Sequence, residues 1–291
     1  WKRWADKSYT TFQDCYTDNA VSESVDSTPP TTQGRAAIIE REKNFEKIYP
    51  DRRGELRLVL GSGTRLASVA LFTATNEGPI PTPDGKSMPA TKKKVGLLLA
   101  HTVELDATGS RAIRDAVYLD EAAIMSQLGV SKGPARKPMT PTGSAPTVAV
   151  GRNTPTESSN IATYRAWIDT LNKHDVKAFE QTMADDFVLT EMGNPADMKK
   201  KEAIATLQGY LKAFPDLTAN LTTVWAAGDY VVAEGAYSGT NTGDMPAMGL
   251  KKTGKKINLR FIDIVRFENG KARENWTFAN FASFATQLGM K

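Results

Sequence analysis

The two halves of the chain repeat one another. Phe12-Gln13-Asp14-Cys15-Tyr16-Thr17-Asp18-Asn19-Ala20-Val21 parallels Phe179-Glu180-Gln181-Thr182-Met183-Ala184-Asp185-Asp186-Phe187-Val188. A helical stretch ending Tyr49-Pro50-Asp51 parallels one ending Phe214-Pro215-Asp216, and Thr73-Ala74-Thr75-Asn76-Glu77-Gly78 parallels Ser238-Gly239-Thr240-Asn241-Thr242-Gly243. Near the two ends, Ser126-Gln127-Leu128-Gly129 parallels Thr286-Gln287-Leu288-Gly289. Motif order and spacing kept over the whole shared length point to a tandem duplication of one domain. In this alignment Trp1 falls near Ile168, so the given sequence is expected to start partway through the first helix of its first domain. A targeting segment upstream would then be invisible, and localisation stays open.

Between the copies lies SKGPARKPMTPTGSAPTVAVGRNTPTESSN, residues 131–160, with 5 of the chain's 15 prolines and nine serines or threonines. Such a composition buries too little apolar surface to fold alone and reads as an extended linker. The expected organisation is a domain over 1–130, a linker over 131–160 and a domain over 161–291. The net charge of +4 raises the question of nucleic acid, but residues 131–160 carry 4 basic and 1 acidic side chain, so +3 of the excess sits there. Phosphate binding needs basic groups gathered on a folded surface, which argues against a nucleic-acid partner. No window approaches the roughly 18 apolar residues of a membrane helix, so no membrane partner is expected of the visible chain. With Cys15 the single cysteine and His101 and His174 the only histidines, a disulfide framework and a His/Cys zinc site both lack ligands, and no metal is expected.

In the second half the order is helical, then β-rich. Helices are predicted at 161–171, where Tyr164, Trp167, Ile168 and Leu171 recur at helical spacing, and at 175–184 and 200–213. The last closes at Phe214-Pro215, since the residue before proline is pushed out of the helical region. Strands are predicted at 217–227, 229–239, 255–267 and 271–281, joined by short turns such as Ala227-Gly228-Asp229 and Glu268-Asn269-Gly270. Helices packed on one curved antiparallel sheet make an α+β layer architecture.

Ala213-Phe214-Pro215-Asp216-Leu217, Gly228-Asp229-Tyr230-Val231-Val232, Ser238-Gly239-Thr240-Asn241-Thr242-Gly243 and Phe261-Ile262-Asp263-Ile264-Val265-Arg266-Phe267-Glu268-Asn269-Gly270-Lys271 resemble the SnoaL-like polyketide (ester) cyclase family, of the nuclear-transport-factor-like superfamily. The resemblance covers about 130 residues of the second domain and, through the repeat, a weaker 130 of the first. It implies tandem cystatin-like α+β cones. It also implies acid/base chemistry without cofactor or metal, carried by an aspartate in a His-Trp-Asp stretch on the last strand and a histidine on the strand before. This sequence departs from that pattern. The second copy reads Asn275-Trp276-Thr277, with Asp263 at the histidine position; the first reads Asp115-Ala116-Val117, with His101 at the histidine position.

Period-2 alternation places Ile257, Leu259, Phe261, Asp263, Val265 and Phe267 on one strand face, five of six apolar. A carboxylate there loses solvation and its pKa rises toward values useful for proton transfer, which makes Asp263 the candidate acid/base. A satisfied aspartate paired with Arg260, Arg266 or Arg273 is the plainer reading. A two-residue Asn-Gly turn would set Asp263 opposite Trp276. A three-residue loop with a glycine bulge would set it opposite Asn275, and Phe261 opposite Thr277. The family pattern implies the second, which gathers Asp263, Asn275 and Thr277 in the cavity, sets Phe261 beside them and turns Trp276 outward. In the first copy Val95, Leu97, Leu99, His101, Val103 and Leu105 share a face, and His101 with Asp115 opposite would form a dyad able to accept a proton. Glu191 and Tyr237 are further candidates for orienting a substrate oxygen.

Two functions fit these residues. One is a cofactor-independent cyclase or isomerase that draws a proton from an activated C–H of a small hydrophobic polycyclic substrate. The other is a small-molecule-binding module that has lost the family acid/base. In either case a small hydrophobic ligand is the expected partner, and the superfamily's habit of pairing sheet faces implies an internal pseudo-dimer of the two copies, with Trp276 in a sheet-to-sheet contact.

Overall fold

The computed structural model describes residues 2–82, 85–131 and 136–290, and divides the chain into two compact units, Trp1–Val148 and Ala149–Lys291. Residues 132–135 of the expected linker, and Trp1, lie outside the described residues.

The first unit runs α1 (Lys2–Ala5), α2 (Tyr9–Phe12), β1 (Tyr16–Ser24), β2 (Thr31–Gln33), α3 (Arg35–Ile48), β3 (Arg53–Ser62), β4 (Arg65–Thr75), the small hairpin β5 (Ile80–Pro81) and β6 (Ser87–Met88), β7 (Lys94–Leu105), β8 (Ala112–Tyr118), α4 (Glu121–Gln127) and β9 (Thr147–Val150). The second runs α5 (Pro155–Asn172), α6 (Val176–Gln181), β10 (Met183–Glu191), β11 (Met198–Lys199), α7 (Lys200–Ala213), β12 (Thr218–Ala227), β13 (Tyr230–Thr240), β14 (Lys256–Glu268), β15 (Lys271–Ala279) and α8 (Phe281–Leu288). Sheet order is β2-β1-β8-β7-β4-β3-β9 in the first unit and β11-β10-β15-β14-β13-β12 in the second. Each unit is an α+β cone, and the two share one topology.

Their hydrogen bonds also repeat. Asp51 accepts from Thr75 N and Oγ1 at 2.7 and 2.6 Å, and Asp216 accepts from Thr240 N and Oγ1 at 2.6 and 2.7 Å. Buried Asn76 donates to Gly78 O at 2.8 Å and accepts from Thr91 N and Oγ1. Asn241 donates to Gly243 O at 2.8 Å and accepts from Thr253 N and Oγ1. Gln127 brackets the Gly96 backbone as Gln287 brackets that of Asn258.

Several boundaries differ from those expected. The segment after 130 is not a free linker: Met139 N donates to Gly96 O at 2.8 Å, Thr142 and Gly143 bond Glu55, and β9 stands beside β3. The first helix of the second unit starts at Pro155 rather than 161. Thr154 and Glu157 form a capping box, and Pro155 sits at the first helical position, where a missing N–H costs nothing. Glu157 also accepts from Gly228 N at 2.8 Å, tying the helix to the β12–β13 turn. The second helix stops at Gln181 because Met183 already belongs to β10. The sheet has six strands rather than four, and it is not wholly antiparallel: β10 pairs with β15 in parallel, as β1 does with β8. Hairpins force neighbours antiparallel, but no turn links β10 to β15, so their direction is set by packing alone.

The β14–β15 turn combines both readings of its sequence. Asn269 and Gly270 have φ of 51° and 75°, the two positive values of a two-residue type I′ turn. A bulge at Arg273 then shifts the register, so that Glu268 faces Lys271 but Asp263 faces Thr277 and Ile264 faces Trp276. The bulge restores the side-chain faces that the three-residue loop would have given, with the partner of Asp263 displaced from Asn275 to Thr277.

Asn241 closes the β13–β14 connection through four polar partners while fully buried. Asn241→Ala is therefore expected to cost about 2–4 kcal/mol in urea unfolding of the whole chain, since it strands buried donors and acceptors. Gly243→Ala should cost a similar amount, because a Cβ there would meet Lys212 O at 2.4 Å. Stability within about 0.5 kcal/mol of the parent would refute this.

Candidate active site

Between α5, α6, α7, α8 and the concave face of the second sheet lies a cavity of about 140 Å³. Its walls are apolar, from Ile168, Leu171, Phe179, Phe187, Leu207, Leu259 and Phe284 among others; Glu191, Tyr237, Asp263, Asn275 and Thr277 supply polar groups. The alternation of β14 and β15 turns these three last side chains inward, while Trp276 points to the opposite face, its ring 6.5 Å from that of Tyr230.

Asp263 is buried, and no arginine reaches it: Arg266 pairs with Glu274, and Arg273 with Asp186 and Glu268. Its carboxylate accepts instead from Thr277 Oγ1 at 2.7 Å and from the Tyr164 hydroxyl at 2.8 Å. Loss of solvation pushes its pKa up to about 6, against the pull of the two hydroxyls toward the ionised form. A carboxylate has four lone-pair positions, so two hydrogen bonds leave room for a proton. The group is a base poised just below neutral pH, in a wall that a hydrophobic molecule would touch.

The other expected residues are placed as follows. Asn275 donates to Thr277 Oγ1 at 3.1 Å, extending the chain Tyr164–Asp263–Thr277–Asn275. Glu191 lines the cavity and is bonded by the Asn194 amide. Tyr237 lines it too, with burial raising its hydroxyl well above the ordinary value. Phe261 is not among the lining residues: it is fully buried and stacks under Tyr237, ring centres 4.2 Å apart, so it supports the wall instead of meeting a ligand. Tyr164 and Trp167 were visible in the sequence only as part of an apolar helical stripe. The signal available was that a tyrosine hydroxyl on such a stripe needs a buried partner.

The first unit has a second cavity, of about 210 Å³, lined by Trp4, Phe12, Tyr16, Arg41, Glu42, Phe72, His101, Asp115 and others. His101 Nε2 lies 2.9 Å from Asp115 Oδ2, and the Tyr16 hydroxyl donates to the same oxygen at 3.2 Å. The pair meets diagonally, since His101 faces Val117 and Val103 faces Asp115 across a bulge at Ile113. Burial pushes the Asp115 carboxyl up, but the His101 hydrogen bond and charge, with Ser22 and Arg41, outweigh it and hold the group below the usual range. The two copies thus carry different polar pairs at matching positions: histidine stands in the first where Asp263 stands in the second, and Asp115 where Asn275 stands. Among the described residues no three His, Cys, Asp or Glu side chains gather as a metal ion would need, and no helix is long and apolar enough to cross a membrane.

Native Asp263 keeps its proton up to about pH 6, whereas an unfolded aspartate releases it near 3.8. Between these values the native state binds more protons, so this group's contribution to stability falls as pH rises through that window and then levels off. Asp263→Asn removes the dependence. The parent should lose about 2 kcal/mol relative to Asp263→Asn between pH 4 and pH 6.5, the larger part of what about 1.4 kcal/mol per pKa unit gives over the whole titration, measured by urea unfolding at a series of pH values. Parallel curves for the two proteins would refute the raised pKa.

Residues 161–288 match the family model described as SnoaL-like polyketide cyclase. Among curated proteins none matches the chain. Similar solved structures include AclR of Streptomyces galilaeus, at 23% identity over 46% of this chain and 97% of that one, TM-score 0.42. A SnoaL-like protein from Jannaschia sp. shows 19% identity over 48% and 99%, TM-score 0.44. IdmH of Streptomyces antibioticus shows 22% over 45% and 99%, TM-score 0.40. The second unit thus matches the SnoaL-like polyketide cyclase family model over nearly its whole length, and the chain is a tandem of two α+β cones of one topology.

Proposed function

We propose that the second unit is a cofactor-independent cyclase or isomerase for a small hydrophobic substrate, with Asp263 as its acid/base. The observation that supports this is a carboxylate with a pKa near 6 set in the wall of an otherwise apolar cavity. Asp263 would take a proton from carbon next to a carbonyl. The resulting enolate either attacks a second carbonyl of the same molecule, closing a ring, or regains the proton at another carbon. Thr277 and Tyr164 hold the carboxylate in place and keep it ionised near neutral pH. A polycyclic, polyketide-like substrate fits this reading if one ring enters: a cavity of about 150 Å³ accommodates one benzene-sized ring, close to the 140 Å³ here. The remainder would extend past the lining residues that keep some exposure, Glu191, Tyr210 and Phe281.

The test is a panel of aromatic polyketide esters and β,γ-unsaturated steroid ketones incubated with the protein, with products and deuterium uptake from D₂O read by mass spectrometry. On a converted substrate, kcat/KM should rise with pH about an apparent pKa near 6. Asp263→Asn should lower kcat by about 10²–10⁴-fold with little change in binding. An Asp263→Asn variant with parent activity removes this residue from the mechanism. Binding of panel members without conversion or exchange would instead favour the binding-module function.

A further inference from the structure

Among the described residues, two buried polar atoms of side chains lining the second unit's cavity have no hydrogen-bond partner: the indole Nε1 of Trp167 and the amide Oδ1 of Asn275. Trp167 is 3% exposed and Asn275 6%. Neither atom gains a partner by turning its side chain over. An indole nitrogen is a donor in every state. For Asn275 the orientation is dictated by its neighbour: Thr277 has one hydroxyl proton, given to Asp263, so its oxygen can only accept from Asn275. The amide must offer Nδ2 to Thr277 and leave Oδ1 without a partner. A buried donor or acceptor without a partner gives up its hydration for nothing, so two of them in one apolar cavity mark places where a ligand's own polar atoms belong. The lining carries Asp263 and Glu191 but no lysine, arginine or histidine, which disfavours an anion.

We propose that this cavity binds a neutral, ring-sized ligand through a carbonyl oxygen that accepts from Trp167 Nε1–H and a hydroxyl that donates to Asn275 Oδ1. This rests on the reading of the cavity as the substrate site and adds the ligand's polar pattern, together with Trp167 as a recognition residue. Ring walls supply the non-directional part of the affinity, and the two polar groups fix which edge of the ring turns toward β15.

Three nearly isosteric probes test this in the whole chain: ethylbenzene, acetophenone and 4-ethylphenol, with benzoate as the anionic control. Dissociation constants come from NMR titration, followed at the Trp167 indole ¹H–¹⁵N resonance. Acetophenone and 4-ethylphenol should each bind about five- to tenfold more tightly than ethylbenzene, the net worth of one hydrogen bond. Acetophenone should also shift the Trp167 indole proton downfield. Trp167→Phe keeps the ring and should abolish the acetophenone preference; Asn275→Leu should abolish that for 4-ethylphenol. Equal affinities for the three probes in the parent protein, with the indole resonance unmoved, would overturn the proposal and leave water as the partner of both atoms. Benzoate bound as tightly as acetophenone would overturn the neutral-ligand part. The parent comparison needs no variant, so a misfolded variant does not blunt it. Because binding is read without turnover, the probe preferences hold whether or not Asp263 proves to be a base, which separates the two readings.

Discussion

One unpaired residue in each closing hairpin decides which side chains face the cavity. Arg273 in the second unit and Ile113 in the first have no partner across the ladder, and beyond them the pairing shifts by one. Side chains alternate with period 2, so without the shift every residue beyond it in β15 and β8 would change face. Trp276 would then enter the cone, and Asn275 and Thr277 would leave it. The cavity, the carboxylate network and the dyad all sit on the inward side of that one displacement. The extra residue is itself suited to its place: Arg273 reaches Asp186 and Glu268 on the rim.

Within that frame Asp263 is a destabilising group. Burial favours its protonated form, and the hydroxyls of Thr277 and Tyr164 recover only part of what water would give. A hydrophobic residue of similar size would serve the core better, and a strained group retained in a cavity wall is the usual mark of a functional site. The hydroxyl of Tyr164 shows how the helix layer takes part. α5 packs against the sheet mainly through Trp167, Ile168 and Leu171, yet one polar atom on its buried face supplies half of the carboxylate's hydrogen bonds.

The two cones keep the same scaffold and differ in the site. The Asp–Thr and Asn–Gly networks that close their loops agree to within about 0.1 Å in the main distances, while the cavities carry His101 with Asp115 in one and Asp263 with Thr277 in the other. Loop closure leaves few solutions for a buried backbone, because every buried donor and acceptor must be paired. A cavity wall needs only to be filled or lined, so its residues can diverge while the fold remains.

Sequence alone determined the duplication, the order of helices and strands, and the inward face of β14, because these are local matters of periodicity and of turn and cap residues. Asp263 stood out on an apolar strand face before any coordinates, and the pairing of His101 with Asp115 was legible from the repeat. The parallel pairing of β10 with β15 was not, since it joins segments about 90 residues apart with no turn to link them. Nor was the bulge at Arg273, which reconciles a two-residue turn with the faces that a three-residue loop would give; both turns suit Glu268-Asn269-Gly270, and only packing on both sides of the sheet selects the shift. Phe261 shares a strand face with Asp263, yet the stacked ring of Tyr237 removes it from the cavity, and Tyr164 and Trp167 acquire polar roles only once α5 lies across that cavity. Which atoms of a shared face meet one another, and which are left without a partner, depends on distances between elements, and tertiary packing alone sets those.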